Sequence, residues 1–381
     1  MACRFLSTIV CVDYDSRNGY TMCLSESGEL LSFGNHNKGA HGQIEKLVFP
    51  PKVIPLLNIT SFGCGMDHSV CLDNNGNVYS FGSNEFGQLG IGKSKFILNH
   101  THKPRKVNLP PIKQVSCGNN FAICISEEGG LFSFGCNKLG QLGLENNKSS
   151  KSPKQLEFCE VIDFIECGGN HVICKTLNDD VYAWGCNGYG QLGIENKCDA
   201  HLLPTKCINW PKDIIDIKCG FSHTVILTSN REVYTVGNNQ LGQLGRKSKN
   251  DSRVSIQKLL RLSDIIRIEC GYYHSLCIDT QNRLIVFGGN GYGQLGLGDD
   301  VEYEYTIIHP SLSNIIDISS KGCHTFVKTY SNQIYSFGLS FTIQIGSEIE
   351  DYQFTPMRVF QDNETIWCSN INISRAKSAR K

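Results

Sequence analysis

Hydrophobic and polar positions alternate along this chain in short runs, and no stretch of ten or more residues shows the three-and-four spacing of an amphipathic helix. The residues from His68 to Leu72 and from Val78 to Phe81 suit β-strands. Between them lies Asp73-Asn74-Asn75-Gly76-Asn77, a cluster that favours a tight turn, so the pattern predicts a hairpin. Upstream of each hairpin comes a third apolar run ending in Cys-Gly, as in Ile214-Ile215-Asp216-Ile217-Lys218-Cys219-Gly220. A Pro-led strand such as Pro104-Arg105-Lys106-Val107 precedes that. The unit therefore contains four short strands, and the chain is all-β.

The unit repeats. Aromatic-glycine pairs stand at Phe33-Gly34, Phe81-Gly82, Phe134-Gly135, Trp184-Gly185, Phe287-Gly288 and Phe337-Gly338, with Val236-Gly237 in the remaining slot. Successive glycines are 48, 53, 50, 52, 51 and 50 residues apart, a period that marks a solenoid or a propeller. Fourteen residues before each glycine stands His68, His171, His223, His274 or His324, replaced by Tyr20 and Phe121 in the other two copies. Four strands per copy and seven copies predict a seven-bladed β-propeller of four-stranded blades occupying residues 1–373, followed by a basic tail at 374–381. After the seventh glycine the opening strands recur as Pro356-Met357-Arg358-Val359 and Ile366-Trp367-Cys368-Ser369. These are expected to complete the blade begun by Tyr20 to Phe33, closing the ring by pairing N- and C-terminal strands and removing exposed edges.

Each aromatic-glycine pair in five copies leads into a loop ending in Gly-Gln-Leu-Gly: Asn84 to Gly90, Asn137 to Gly143, Asn187 to Gly193, Asn239 to Gly245 and Asn290 to Gly296. The first and last copies depart, with Gly39-Ala40-His41-Gly42 and Ile343-Gln344-Ile345-Gly346. Together with Cys-Gly-x-x-His and the period near 50, this pattern resembles the regulator of chromosome condensation repeat family over nearly the whole chain. WD-repeat propellers have shorter repeats, and kelch repeats lack Gly-Gln-Leu-Gly. The loop glycines read as positions that need positive φ or close backbone approach, because no strand-to-helix context for phosphate binding follows them.

Composition narrows the class. Apolar residues make up 40% and charged residues 19%, enough to bury a core, and the 36 basic residues balance the 36 acidic ones. No overall field draws the chain to nucleic acid or to an anionic membrane. The 19 cysteines are odd in number, form no C-x-x-C, and recur at Cys64/Cys71, Cys117/Cys124, Cys167/Cys174 and Cys270/Cys277, as small buried residues on repeated strands would. They read as reduced thiols, which points to the cytosol or nucleus. Phe5 to Val12 lacks a signal-peptide cleavage pattern and no stretch is long enough for a spanning helix, so a soluble, unprocessed, monomeric chain without membrane contact is expected.

No chemistry-bearing constellation stands out. There is no Gly-x-Ser-x-Gly, His-Glu-x-x-His or phosphate-loop lysine, so no catalytic residue, metal or cofactor is assigned. His100-Thr101-His102 has metal-like spacing without a third ligand nearby in sequence. The five repeat histidines, each in a different blade, read as structural hydrogen-bonding residues.

The family resemblance implies a different kind of site. Its members include the exchange factor for the GTPase Ran, which acts by distorting its partner's nucleotide site through loops beside the repeat histidine. The corresponding positions are Gly19, Asp67, Asn120, Asn170, Ser222, Tyr273 and Cys323, of which only Asp67 is acidic. An Asp there could compete for a GTPase's phosphate-loop lysine, although an Asp before a strand more often stabilises a turn. That factor's protruding wedge has no counterpart here, since the spacing never exceeds 53. The family's ultraviolet-B photoreceptor depends on clustered tryptophans, against only Trp184, Trp210 and Trp367 here.

Partner choice falls to the non-repeated loops. The segment 93–106 carries Lys93, Lys95, Lys103, Arg105 and Lys106 and no acid, and Arg246, Lys247, Lys249 and Arg253 form a second basic loop. Asp299, Asp300, Glu302 and Glu304 form an acidic one. The expected function is a non-catalytic protein-interaction propeller that binds, and in one version exchanges nucleotide on, a Ran-like small GTPase. The alternatives are a chromatin-associated protein or an adaptor in ubiquitin or membrane traffic.

Overall fold

A computed structural model describes residues 3–10, 19–25, 28–92, 99–195, 198–247, 255–340, 352–362 and 365–367. Seven antiparallel sheets follow one another in chain order, one blade each, and no helix occurs among the described residues. Blade 2 is representative. Its innermost strand Ile59–Cys64 pairs with His68–Asp73, then Val78–Ser83, then the outermost His100–Lys106. The second strand of every blade is buried along nearly its whole length, because sheet neighbours flank its edges and adjacent blades cover both faces. Outermost strands are largely exposed.

Apolar clusters lie between blades rather than within them. Phe121, Ile123 and Ile125 of blade 3 pack on Ile162, Val172 and Trp184 of blade 4. The ring closes in the same manner, with Phe326, Ile334 and Val359 of blade 7 against Cys23 and Phe33 of blade 1. Sixteen cysteine side chains are described; thirteen are buried and none is bonded to another. Among the described residues no helix is long and apolar enough to cross a membrane.

The strand that completes blade 1 is not the one expected. Cys3–Val10 pairs with Gly19–Ser25 and supplies the innermost strand from the N-terminal side itself. The C-terminal strands stay in blade 7: Tyr352–Asp362 pairs with Ile334–Leu339, and Thr365–Trp367 folds back on it as a fifth, outermost strand. The match of Ile366-Trp367-Cys368 to an innermost strand misled because the apolar run at residues 3–10 has no Cys-Gly ending, yet it offers an equally good ladder much closer in sequence. The tail 374–381 lies outside the described residues.

A relay of hydrogen bonds ties successive blades. His171 Nε2 lies 3.2 Å from Thr224 Oγ1 of the next blade, and that hydroxyl donates to the carbonyl of Gln191 at 2.9 Å, back in the glycine-rich loop of His171's own blade. His223, Ser275 and Gln243 repeat it, as do His274, Thr325 and Gln294. Tyr20 makes the same bridge to Ser69, which donates to Ala40. Since each hydroxyl hydrogen goes to a carbonyl, the ring Nε2 must donate; Nδ1 is left bare and the imidazole neutral. Burial enforces this, pushing His171, His223, His274 and His324 down to about 3 and His68 to about 4. Three copies break the relay: Phe121 has no group to donate, His68 faces a blade whose hydroxyl position is Ala122, and neither ring nitrogen of His324 has a hydrogen-bond partner among the described residues.

The Cys-Gly glycine makes room for the ring. A Cβ on Gly168 would lie 2.0 Å from His171 Cε1. In blade 7 the corresponding residue is Lys321, and His324 sits edge-on to Phe326 at 5.8 Å.

Two outcomes follow. Histidines held below their ordinary value of 6.5 contribute stability that is complete above that pH and lost as pH falls toward 4. Each should add a slope of about 1.4 kcal/mol per pH unit in urea titrations; a stability unchanged between pH 7 and 5 would contradict the neutral relay. Deleting residues 3–10 bares the edge of Gly19–Ser25 and should lower Tm by about 10 °C or more, whereas deleting 365–381 leaves four strands in every blade and should cost less than about 3 °C.

Candidate partner-binding face

Two sets of loops open on the same face of the ring. One joins the innermost strand to the second, and contains the residue before each repeat histidine. The other is the glycine-rich loop after the third strand. The first set is fastened by its own backbone: the carbonyls of Asp67, Asn120, Asn170, Ser222 and Tyr273 accept from the amides of Ser83, Cys136, Cys186, Asn238 and Gly289 at 2.6 to 2.8 Å. The crossing is so close that a Cβ on Gly135, whose φ is +109°, would stand 2.4 Å from the Asn120 carbonyl oxygen.

Side chains then link neighbouring blades. Gln88 Nε2 reaches Asn120 Oδ1 of the next blade at 3.4 Å, and Gln141 Nε2 reaches Asn170 Oδ1 at 3.2 Å. Each glutamine also accepts, through Oε1, an amide of its own loop: Phe86 for Gln88 and Leu139 for Gln141. Asp67 is held from blade 1: His36 Nε2 lies 3.2 Å and Lys38 Nζ 2.9 Å from its two oxygens, and Lys38 also meets Glu85 at 3.1 Å. Burial alone would raise the Asp67 carboxyl, but His36 and Lys38 outweigh it and hold the group well below the usual carboxylate range. Its charge is thus engaged within the protein.

At the centre of this face Phe221, Tyr272 and Tyr273 form an aromatic cluster with ring centroids 5.4 to 6.1 Å apart. Tyr272 OH donates to Asn119 Oδ1 across the ring at 3.2 Å, closing the mouth of the central channel. Around the periphery the tips of five glycine-rich loops present Phe86, Leu139, Tyr189, Leu241 and Tyr292, one per blade; Leu139 and Tyr189 are 40% and 37% exposed. Lys138 lies over the Phe86 ring at 5.1 Å.

Asp67, Asn120, Asn170, Ser222 and Tyr273 therefore share one face and one ring around the channel mouth. The basic residues do not join them. Lys103, Arg105 and Lys106 are exposed on the outermost strand of blade 2, three strand spacings or roughly 14 Å from the innermost strand, and Lys93 and Lys95 lie outside the described residues. The second basic loop is described only in part: Arg246 bonds the Ser255 carbonyl at 3.4 Å, and 248–254 lie outside. Among the acids, Asp299 accepts from Tyr303 OH at 2.8 Å. His100 and His102 share one strand, and among the described residues no cluster of three His, Cys, Asp or Glu could hold a metal. The ring of apolar tips was missed by sequence reasoning. Its signal is the third residue of each Asn-x-x-Gly-Gln-Leu-Gly, which is Phe, Leu, Tyr, Leu and Tyr in a loop otherwise built of polar and glycine residues.

Comparisons with known proteins agree with the architecture. A family model described as the RCC1-like domain matches residues 3–304. The chain is 30% identical over 334 residues to the ultraviolet-B receptor UVR8 of Arabidopsis thaliana, covering 84% of this chain and 75% of that protein. It is 30% identical to the protein RCC2 homolog of Danio rerio, covering 74% and 52%. It is 36% identical to the X-linked retinitis pigmentosa GTPase regulator of Homo sapiens, covering 81% and 31%. The chain thus spans about half of the second relative and about a third of the third. Among solved structures, yeast RCC1 (Prp20) bound to Kap60 superposes with a TM-score of 0.77 at 21% identity, covering 86% of this chain and 83% of that one. Human WBSCR16 gives 0.76 at 20%, covering 87% and 94%. At these identities the likeness is one of fold.

Replacing Asp67 with Asn leaves Lys38 with only the more exposed Glu85 as counter-charge and weakens the bond to His36, and should cost about 1–2 kcal/mol in urea denaturation at pH 7. Full stability in D67N would mean that the inter-blade clamp carries no weight.

Proposed function

The chain belongs to the RCC1-like domain family, and from that premise we propose that it is a non-catalytic interaction propeller whose loop face docks a Ran-like small GTPase. The observation that carries the reading is the combination of exposed apolar tips with a frame that cannot yield. Leu139 and Tyr189 project from loops fastened by backbone and glutamine bonds, so little conformational freedom is lost on binding. The human relative is by name a GTPase regulator, and Prp20p of Saccharomyces cerevisiae is described by its binding properties to Gsp1p and histones; the first of these favours a GTPase as the partner class. Asp67 is already paired with Lys38 and His36, so any exchange on the partner rests on apolar contacts rather than on a competing carboxylate.

A second reading has its own support. Lys103, Arg105 and Lys106 form an exposed basic edge that suits association with chromatin through phosphates. Unbonded, mostly buried thiols fit a reducing compartment, the cytosol or nucleus. Photoreception is not favoured: Trp184 is engaged in a bond to the Gln141 carbonyl at 3.1 Å in the inter-blade core.

The test is nucleotide release from a Ran-like GTPase loaded with a fluorescent guanine nucleotide, alongside direct binding. Binding should be weakened at least about tenfold by Leu139→Ala with Tyr189→Ala, at unchanged Tm. Absence of any GTPase binding ends this reading. DNA binding that falls steeply with salt and is lost on Lys103→Glu with Arg105→Glu would replace it with the second.

A further inference from the structure

The outermost strands of five blades share a local irregularity. In blade 3, Lys154 and Ser150 pair with Ser133 and Gly135, so Lys151, Ser152 and Pro153 stand opposite Phe134 alone. The same three-against-one bulge ends in a proline in four other blades, at Pro51, Pro104, Pro204 and Pro356. Proline suits the place because it has no amide hydrogen to leave unpaired. The residue before it is under no such constraint. It is Pro50, Lys103, Ser152, Leu203 or Thr355, and each of the five is exposed.

The chain contains two Ser/Thr-Pro dipeptides, Ser152-Pro153 and Thr355-Pro356, and both fall at this bulge. Their surroundings differ. In blade 3 the backbone is held by two bonds: Ser150 Oγ donates to the Ser152 carbonyl at 2.7 Å, and the Gly92 amide of blade 2 donates to the Lys151 carbonyl at 2.8 Å. The Ser152 hydroxyl itself makes no hydrogen bond among the described residues, and it faces Gly92, where even a Cβ would stand 3.5 Å away. Thr355 Oγ1, by contrast, accepts from Gln353 Nε2 at 3.1 Å. Between Glu145 and Glu157 the chain carries Lys148, Lys151 and Lys154, all exposed, and no acid. An anionic group on Ser152 would have cations on both sides in sequence.

We propose that Ser152 is a phosphorylation site for a proline-directed protein kinase. Such a kinase takes an exposed hydroxyl on extended backbone, followed by a residue that has no amide hydrogen to satisfy. Strand Ser150–Gln155 has a free outer edge, and at the bulge its inner edge is off the ladder as well. In the transfer the Ser152 oxygen attacks the γ-phosphorus of ATP as the bond to the β,γ-bridging oxygen breaks. ADP departs with those electrons, and the hydroxyl proton passes to the kinase's catalytic carboxylate and then to solvent. The product replaces a neutral hydroxyl with about two negative charges. The outermost strands of blades 2 and 3 carry Lys103, Arg105, Lys106, Lys151 and Lys154 and no acid, so the phosphate offsets part of a basic edge. The site needs only the kinase and the strand, and stands independently of either partner reading.

Incubation of the full chain with Mg-ATP and a proline-directed kinase tests it, using a cyclin-dependent and a mitogen-activated kinase in turn. The free peptide of residues 146–158 reports each kinase's competence, and tandem mass spectrometry locates the phosphate. The folded chain should be modified at Ser152 at a rate within about tenfold of the peptide. Ser152→Ala should abolish that modification, and Pro153→Ala should slow it at least about tenfold. Thr355, whose hydroxyl is already bonded, should react at least about tenfold more slowly than Ser152. Ser152→Ala removes no side-chain bond, so its Tm should match the parent's. A kinase that modifies the peptide but leaves Ser152 of the folded chain untouched overturns the proposal. Modification of Thr355 in preference to Ser152, or of neither chain nor peptide by both kinases, overturns it as well.

Discussion

A buried side chain of one blade bonded to the next blade's hydroxyl, a neutral imidazole at three interfaces and Tyr20 at a fourth, is the constraint that orients neighbouring blades. Blades share no strand ladder, and their backbones meet only through loop bonds such as those of the Met66 amide to the Asn119 carbonyl and the Tyr272 amide to the Gly322 carbonyl, both at 2.7 Å. Apolar layers such as Phe121, Ile123 and Ile125 on Val172 and Trp184 supply attraction without direction. The relay supplies the direction, because His171, Thr224 and the Gln191 carbonyl must align within hydrogen-bonding distance for any of them to be satisfied in a dry interface. It also explains the recurring glycine of Cys-Gly, since a Cβ on Gly168 would occupy the place of the His171 ring.

The same relay reaches the surface. Its last acceptor is a glycine-rich loop, so the bonds that hold blades together also hold the tips that project from them. Gln141 extends the linkage, bonding its own loop through Oε1 and Asn170 of the next blade through Nε2. The exposed loop tips therefore sit on a frame set by the core: the repeated residues position Leu139 and Tyr189 without themselves being exposed. Asp67 belongs to the frame, since both its oxygens are occupied by residues of blade 1.

Departures from the repeat have physical consequences of their own. Ala122 removes the hydroxyl that His68 would meet, and Lys321 replaces the glycine in blade 7. Lys321 sends its ammonium across the lumen to blade 3, and Tyr272 spans the same gap to Asn119. Asymmetry in a nominally sevenfold ring thus gathers on the channel axis, where one closed mouth distinguishes its ends.

Strand alternation, Asn-Gly turns and the fixed 14-residue offset from His to Gly were legible in the sequence because they arise from contacts within one hairpin, a few residues apart. They determined the all-β class, the seven copies, the unpaired cysteines as core residues and the family. What closes the ring was decided by tertiary structure: the 3–10 run and the 366–369 run both suited an innermost strand, and only the ladder with Gly19–Ser25 settled between them. The same holds for charge. Asp67 read as a turn residue or as an acid open to a partner until Lys38, 29 residues earlier, came to lie beside it. Glu166, Lys218 and Glu269, each about 50 residues from the next, came to line one cavity only when three blades turned their innermost strands to a common axis. Periodicity in a sequence reports local geometry, and the meeting of side chains across a ring depends on its closure and curvature, which no single repeat contains.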